Sequence, residues 1–158
     1  AETFVPLAFD SIVQEALELY EPVADEKQVV LDASLAPAKV LGSRSLLGRL
    51  VANLIDNAIK YVAPHGHVEI CVAEHEDGAI LSVADNGLGI DPSRRQDVIG
   101  RFRRLDESRG TDGSGLGLSI VDAVARAHKA SLTLTDNAPG LRVEVRFPPC
   151  NESCERAA

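Results

Sequence analysis

The sequence of 158 residues is poor in cysteine, which bears on the compartment where the protein works. Its three cysteines, Cys71, Cys150 and Cys154, are an odd and sparse set for a disulfide framework. A chain of this length buries enough apolar surface to fold without disulfides. We therefore expect a reducing, cytoplasmic compartment.

Long apolar runs and low-complexity tracts are missing as well. No run approaches the ~20 apolar residues of a membrane-spanning helix, and the first ten residues lack the order of a signal peptide. A composition of 45% hydrophobic and 25% charged residues argues against a disordered chain, a collagen or a coiled coil. We expect one soluble globular domain over residues 1–149 and a flexible tail at 150–158.

Positive charge is scarce. The chain has 16 basic and 24 acidic residues, for a formal net charge of −8. A surface of this sign repels nucleic acids and has no general attraction to anionic membranes. Nucleic acid is therefore not expected as a partner, and any anionic ligand needs a local site.

The hydrophobic spacing predicts helices and strands in an alternating order. Three helices are expected, at 11–27 with an interruption near Pro22, at 43–62 and at 116–128. Strands are expected at 29–33, 67–74, 79–85, 131–135 and 141–147. The order predicts a two-layer α/β sandwich, in which helices cover one face of a mixed sheet. The long loop region at 85–117 is where function is expected.

The helix at 43–62 carries two amides in an unusual place. Asn53 and Asn57 lie one turn apart at the border of the apolar stripe, and Lys60 and Tyr61 continue along it. One interpretation is that an amide oxygen ligates a hard cation such as Mg²⁺ while Lys60 approaches phosphate. The alternative is a pair of surface asparagines on a solvated face.

The segment at 85–90, DNGLGI, places one carboxylate at the end of a predicted strand. The glycines at 87 and 89 let a ligand approach the backbone closely. A calcium loop is a poor match, because Gly87 and Gly89 bring no side-chain oxygens to its alternate positions. A plain turn is the remaining alternative, since Asp-Asn-Gly is common in turns.

The segment at 113–118, GSGLGL, leads from a polar loop straight into a helix. Free amides and the positive end of the helix dipole form an anion site there. The spacing differs from the dinucleotide-binding fingerprint, and no Lys-Ser/Thr pair follows as it does in a P-loop. The sequence therefore indicates an anion site of another kind.

Six of the twelve arginines lie within residues 94–109 and supply a local positive field that a polyphosphate needs. The alternative is a solvated loop with its own acidic counterions. The side chains that share the parity of one strand are His65, His67, Cys71 and His75, but His67 and Cys71 would be about 13 Å apart along it. A shared Zn²⁺ is therefore disfavoured, and these side chains are expected on the sheet face opposite Val68.

Four segments in this order resemble the ATP-binding catalytic domain of sensor histidine kinases, in the superfamily shared with gyrase, Hsp90 and MutL. Residues 50–61 resemble its N box, 85–90 its first glycine box, 99–108 its F box and 113–118 its second glycine box. The resemblance covers residues 9–148. It implies the Bergerat α/β sandwich, with Mg²⁺-ATP bound between the N-box helix and a lid at 91–114.

The resemblance also implies roles for single residues. Asn57 would be the Mg²⁺ ligand, Asp85 would accept the adenine amino group, and Tyr61 would line the adenine pocket. Lys60 would face phosphate, and with Asn57 and Arg104 would form the catalytic set. The other expected nucleotide contacts are Asn53, Gly87, Gly89, Ile90, Gly113, Ser114, Gly115, Leu116, Gly117 and Leu118.

The chain departs from the family pattern at a few positions. Ile99 and Arg103 stand where aromatic residues are usual, Asp112 where a glycine is common, and Leu141 where a small hydroxyl residue is usual. These departures bear on the lid rather than on the nucleotide site.

Asn53 stands where hydrolytic members of the superfamily have a glutamate base, and an amide cannot deprotonate water. Phosphoryl transfer to a histidine therefore fits better than hydrolysis. No histidine of the chain lies in a phosphoacceptor helix motif, so the acceptor is expected on a separate dimerising helical domain, with a response regulator downstream. The isolated domain is expected to be a monomer and to belong to a cytoplasmic kinase or the cytoplasmic portion of a membrane-anchored one.

Two other functions are left open by the sequence. A hydrolytic relative would use ATP to drive a conformational cycle, and steady phosphate release would indicate it. A regulatory module would bind nucleotide without transferring phosphate to any histidine domain supplied to it.

Overall fold

The computed structural model describes residues 4–86, 116–137 and 140–150, and in these segments the chain forms three helices and seven strands. The helices are α1 (Phe9–Lys27), α2 (Arg44–Tyr61) and α3 (Leu116–Ala127). The strands are β1 (Val5–Ala8), β2 (Val30–Leu35), β3 (Lys39–Gly42), β4 (His67–His75), β5 (Gly78–Asp85), β6 (Ser131–Asp136) and β7 (Leu141–Arg146).

Five of the strands form one mixed sheet in the order β2-β4-β5-β7-β6. The pair β2 and β4 is parallel, and the other three pairs are antiparallel. The strands β1 and β3 pair with each other in a separate antiparallel sheet. The mixed sheet predicted from the sequence is confirmed.

The core lies between the sheet and the helices. On β4, Val68, Ile70 and Val72 alternate with more exposed residues and are almost fully buried, as their spacing predicts. The apolar stripe of α2 is buried over the same region, and α2 packs against both α1 and α3. The two-layer α/β sandwich is therefore confirmed.

The predicted interruption of α1 near Pro22 is wrong, because the helix runs unbroken from Phe9 to Lys27. Proline removes one backbone N–H from the helix, but residues after Pro22 make contacts that hold the last part of α1 in place. Ala24 is buried in the core, and at the end of the helix the Lys27 Nζ donates a hydrogen bond to the Ile59 carbonyl of α2 at 2.7 Å. Tertiary packing thus outweighs the local cost of the proline.

Strands β1 and β3 have no counterpart in the sequence prediction. Each has only four residues, and each pairs with a partner more than 30 positions away in the chain. Segments this short show no periodicity of their own, so only the pairing identifies them as strands.

His128 connects the C-terminal end of α3 to the N-terminal end of α2 through hydrogen bonds. The Ser43 side chain caps the start of α2 by accepting from the Leu46 amide, and the Ser43 amide donates to Nε2 of His128 at 3.1 Å. His128 follows α3, and its Nδ1 lies 2.8 Å from the Val124 carbonyl. Since the end of α3 meets the start of α2, the two packed helices run antiparallel.

Candidate nucleotide-binding site

The two asparagines of α2 lie at the edge of its buried stripe. Asn53 and Asn57 are both half-buried, whereas Leu54 and Ala58 beside them are buried. The Asn53 Nδ2 donates to the Arg49 carbonyl at 2.7 Å, which fixes the orientation of that amide. Amide oxygens on one helix face, one turn apart, are oxygen ligands of the kind that suits a hard cation such as Mg²⁺.

The last turn of α2 carries Lys60 and Tyr61. Lys60 forms an ion pair with Asp56 at 2.9 Å, and the hydrogen bond that its ammonium donates to the Asp56 carboxylate is the main reason why the pKa of Lys60 is raised. The Tyr20 hydroxyl of α1 lies in the same electrostatic environment, because burial and then the charge of Asp56 raise its pKa. The Tyr61 side chain, which the resemblance assigns to the adenine pocket, is 51% exposed.

Lys27, the last residue of α1, contacts this same turn. Its Nζ donates to the carbonyls of Ile59 at 2.7 Å and Lys60 at 3.0 Å. This contact has no counterpart among the sequence predictions. A basic residue at the end of α1 predicts stabilisation of its own helix end, and nothing local indicates a partner 32 positions away.

Asp85 ends β5 on the side of the sheet that faces the helices. It pairs in register with Val68 of the core face and is only 7% exposed. The Leu141 amide lies 3.4 Å from its Oδ1, within hydrogen-bond distance. The carboxylate is therefore held at one end of the sheet in a largely buried place, where a bonded partner matters most.

The turn between β6 and β7 also holds the backbone of Asp85. The Asn137 Nδ2 donates to the Asp85 carbonyl at 2.8 Å. Gly140 has φ +109°, and a Cβ built on it would lie 1.8 Å from the same carbonyl oxygen. Only glycine fits there. Sequence reasoning assigned neither residue to the site, and the turn signal around Pro139 was the one available hint.

The end of β5 lies beside the end of α2. After Tyr61 the chain turns through residues 62–66 into β4, whose first residue, His67, is doubly bonded to Asn86. The two bonds are 2.9 Å to the Asn86 side chain and 3.2 Å between backbone atoms. Asp85 and the last turn of α2 are therefore at the same end of the sandwich.

The start of α3 lies at this end as well. Because α3 runs antiparallel to α2, its first turn points toward the C-terminal end of α2. Its 12 residues span about 18 Å, roughly two thirds of the length of α2. The N-terminal amides of α3 can therefore meet an anion near the level of Asn57.

Part of the predicted site lies outside the described residues: Gly87, Gly89, Ile90, Arg104, Gly113, Ser114 and Gly115, with the expected lid at 91–114. Leu116 and Gly117 begin α3, and Leu118 is buried.

On β4, His67, Cys71 and His75 are more exposed than the buried valines, as expected for the opposite face of the sheet. The same prediction is wrong for His65, which precedes β4 and has φ 70°. His67 contacts Asp32 at 3.6 Å. Among residues 4–86, 116–137 and 140–150, no group of three metal-ligating side chains is found.

At one end of the sandwich the structure brings together the buried carboxylate of Asp85, the border asparagines of α2 and the start of α3. The family described as histidine kinase-, DNA gyrase B- and HSP90-like ATPase matches residues 42–151, and the chain belongs to this family.

Two similar proteins show which branch of this ATPase family the chain belongs to. Sensor histidine kinase RppB of Synechocystis sp. PCC 6803 is 37% identical over 138 residues, which cover 85% of this chain and 30% of RppB. The structure of the mycobacterial sensor histidine kinase MprB has a TM-score of 0.77 at 32% identity, covering 92% of this chain and 97% of that one. The chain is an ATP-binding catalytic domain of the sensor histidine kinase type.

The catalytic domain of histidine kinase ThkA shares the fold, with a TM-score of 0.80 at 18% identity over 94% of this chain and 99% of that one. The chain spans less than a third of the curated relatives RppB and MprB of Mycobacterium avium. Within its described segments, none of the helices has the length and apolar character to cross a bilayer.

Proposed function

We propose that this chain transfers the γ-phosphate of Mg²⁺-ATP to a histidine on a separate helical domain. The observation that carries the proposal is the placement of Asp85, a buried carboxylate held at the end of β5 beside the last turn of α2. A carboxylate accepts from the amino group of adenine but meets an acceptor oxygen on guanine. ATP is therefore the expected nucleotide.

The residues of α2 suit the phosphate end of the ligand. Asn57 offers an amide oxygen as a ligand to Mg²⁺. A Mg²⁺ ion bound there would neutralise negative charge on the phosphate groups during transfer. Lys60 can exchange its partner Asp56 for a phosphate oxygen, because the pair is half-exposed and such pairs are weak. Arg104 and the glycine segments at 87–89 and 113–117 complete the proposed binding and catalytic set.

Transfer is favoured over hydrolysis by Asn53. Its amide is hydrogen-bonded to the Arg49 carbonyl and has no basic atom that could take a proton from water. His128 is 3% exposed and bonded through both ring nitrogens, so it is not accessible as an internal acceptor. The other three histidines lie on β4 or directly before it and not in a helix: His65, His67 and His75. These observations support an acceptor on another domain.

We place the catalytic domain at residues 1–149 and the acceptor in the remainder of the same full-length kinase, since the similar kinases are several times longer than this chain. A response regulator would receive the phosphate afterwards. We assign the domain to the cytoplasm, where ATP is abundant, including the cytoplasmic portion of a membrane-anchored kinase.

The test is incubation of the chain with γ-labelled ATP, with and without the histidine-bearing helical domain of its own kinase. We expect acid-labile label on the helical domain, and none on this chain alone. Asn57→Ala should suppress the transfer, and Lys39→Ala, on the distant strand β3, should not. Stable label on this chain, steady phosphate release or undiminished transfer by Asn57→Ala would overturn the proposal.

A further inference from the structure

The corner between α1 and β2 is bonded to the last turn of α2 and to the loop that follows it. The Lys27 Nζ donates to the carbonyls of Ile59 and Lys60. The next residue, Gln28, accepts from the His65 amide at 2.8 Å. The Val30 amide then donates to the Gly66 carbonyl at 3.0 Å. Four hydrogen bonds thus join two segments that are far apart in sequence.

The carbonyls that Lys27 contacts need a partner from outside their own helix. The last four carbonyls of an α-helix receive no hydrogen bond from an amide of the same helix. Helix α2 ends at Tyr61 without a left-handed cap residue that would supply such donors. Val62, which follows, has an extended backbone with φ −95° and ψ 147°. The ammonium of Lys27 supplies two donors and a positive charge at the negative end of the helix dipole.

This turn carries Lys60 and Tyr61, and Asn57 lies directly before it; all three residues are assigned to the nucleotide. A helix end without external contacts frays, and fraying would move these side chains by more than binding geometry tolerates. The Lys27 contact limits such movement because it fixes the backbone at the two residues directly before Tyr61.

We propose that Lys27 is a positioning residue for the metal and phosphate half of the nucleotide site, acting through the carbonyls of Ile59 and Lys60. This inference rests on the proposed function, since it concerns the same Mg²⁺-ATP. The two hydrogen bonds of the Lys27 ammonium go to the backbone of α2, and Lys27 is not assigned a contact with the ligand.

The experiment measures ATP affinity by calorimetry with Mg²⁺ and again with a chelator, and takes the ratio of the two. For Lys27→Met, which keeps the length of the side chain but has no donor, we expect the gain from Mg²⁺ to fall roughly tenfold. Lys27→Arg restores the donors and should recover most of the gain. Lys39→Met, an exposed lysine on β3, is the matched control and should leave the ratio unchanged.

A merely structural role would lower both affinities by the same factor and leave the ratio intact, and that result would overturn the inference. An unchanged ratio with unchanged affinities would do so too. If Lys27→Met does not fold, Lys27→Leu, which also has no donor, takes its place with the same expected fall in the ratio. Absence of Mg²⁺-dependent ATP binding by the unaltered chain would instead overturn the proposed function.

Discussion

The Ser43 amide donates a 3.1 Å hydrogen bond to Nε2 of His128, across 85 positions of sequence. Because Nδ1 faces the Val124 carbonyl, the ring is the neutral tautomer with its proton on Nδ1. Phe4 stacks on the ring at 4.5 Å, and Phe147 lies edge-on at 6.4 Å. The buried neutral imidazole therefore links the start of α2, the end of α3 and the aromatic core.

Acid should destabilise the fold through His128. Burial lowers its pKa below the ordinary 6.5, although the bond to Val124 opposes this. Below pH 6.5 the unfolded chain binds a proton that the folded chain does not, so stability falls as pH drops and is fully present above pH 6.5. The loss is at most about 1.4 kcal/mol per pH unit.

Urea unfolding at pH 7.5 and 6.0 measures this effect. In His128→Gln, the free energy of unfolding should differ less between the two pH values than in the unaltered chain. His75→Gln, at an exposed position on β4, should keep the full difference. Equal pH dependence in all three proteins would contradict the assignment to His128.

Gly140→Ala should damage both stability and ligand binding. The added Cβ would lie 1.8 Å from the Asp85 carbonyl oxygen at a φ of +109°, so the strand end has to move. We expect a loss of roughly 2–3 kcal/mol and a weakened ATP-induced rise in melting temperature.

Gly48→Ala in α2 is the matched control. A Cβ there has no neighbour within 4 Å, and alanine is the better helix former by about 1 kcal/mol. Melting curves of both variants, with and without ATP, separate the two sites. A Gly140→Ala protein as stable as the unaltered chain would show that the close approach to Asp85 is relaxed at no cost.

Asp85→Asn should remove most of the melting-temperature rise caused by ATP. A ligand at 100 times its Kd stabilises the folded state by about 2.7 kcal/mol. An amide turned to accept from the adenine amino group would also set a donor against the purine edge. Thermal melts with ATP and GTP test this. Asp32→Asn, on the exposed face of β2, should keep the full rise with ATP. An undiminished rise in Asp85→Asn would remove this residue from the adenine site.

Asp56→Asn should strengthen ATP binding about two- to fivefold at low salt. The variant removes a carboxylate 2.9 Å from the Lys60 ammonium, so Lys60 is no longer shared between Asp56 and phosphate. Stability should change by less than about 0.5 kcal/mol, because half-exposed pairs one helical turn apart contribute little. Titration at low and high salt measures the effect, which should shrink as salt rises. Weaker binding by the variant would mean that Asp56 supports the site instead.

Local patterns were enough to predict α2, α3, β4 and β5, since their apolar residues repeat with the period of the element that they form. The order of the polar and glycine segments was also enough to predict the nucleotide-binding family that the comparison confirms for residues 42–151. The placement of Asn53 and Asn57 at the border of the stripe follows from the same helical period.

The tertiary structure decided what depends on residues far apart in the chain. Contacts of this kind account for four features of the structure. They are the continuity of α1 through Pro22, the pairing of β1 with β3, the hydrogen bonds of Lys27 to α2, and the close contacts of Asn137 and Gly140 with the Asp85 carbonyl. Periodicity reports only which face of an element is buried. Which neighbour covers that face, and which backbone group receives a side-chain hydrogen bond, is decided when packing brings the elements together.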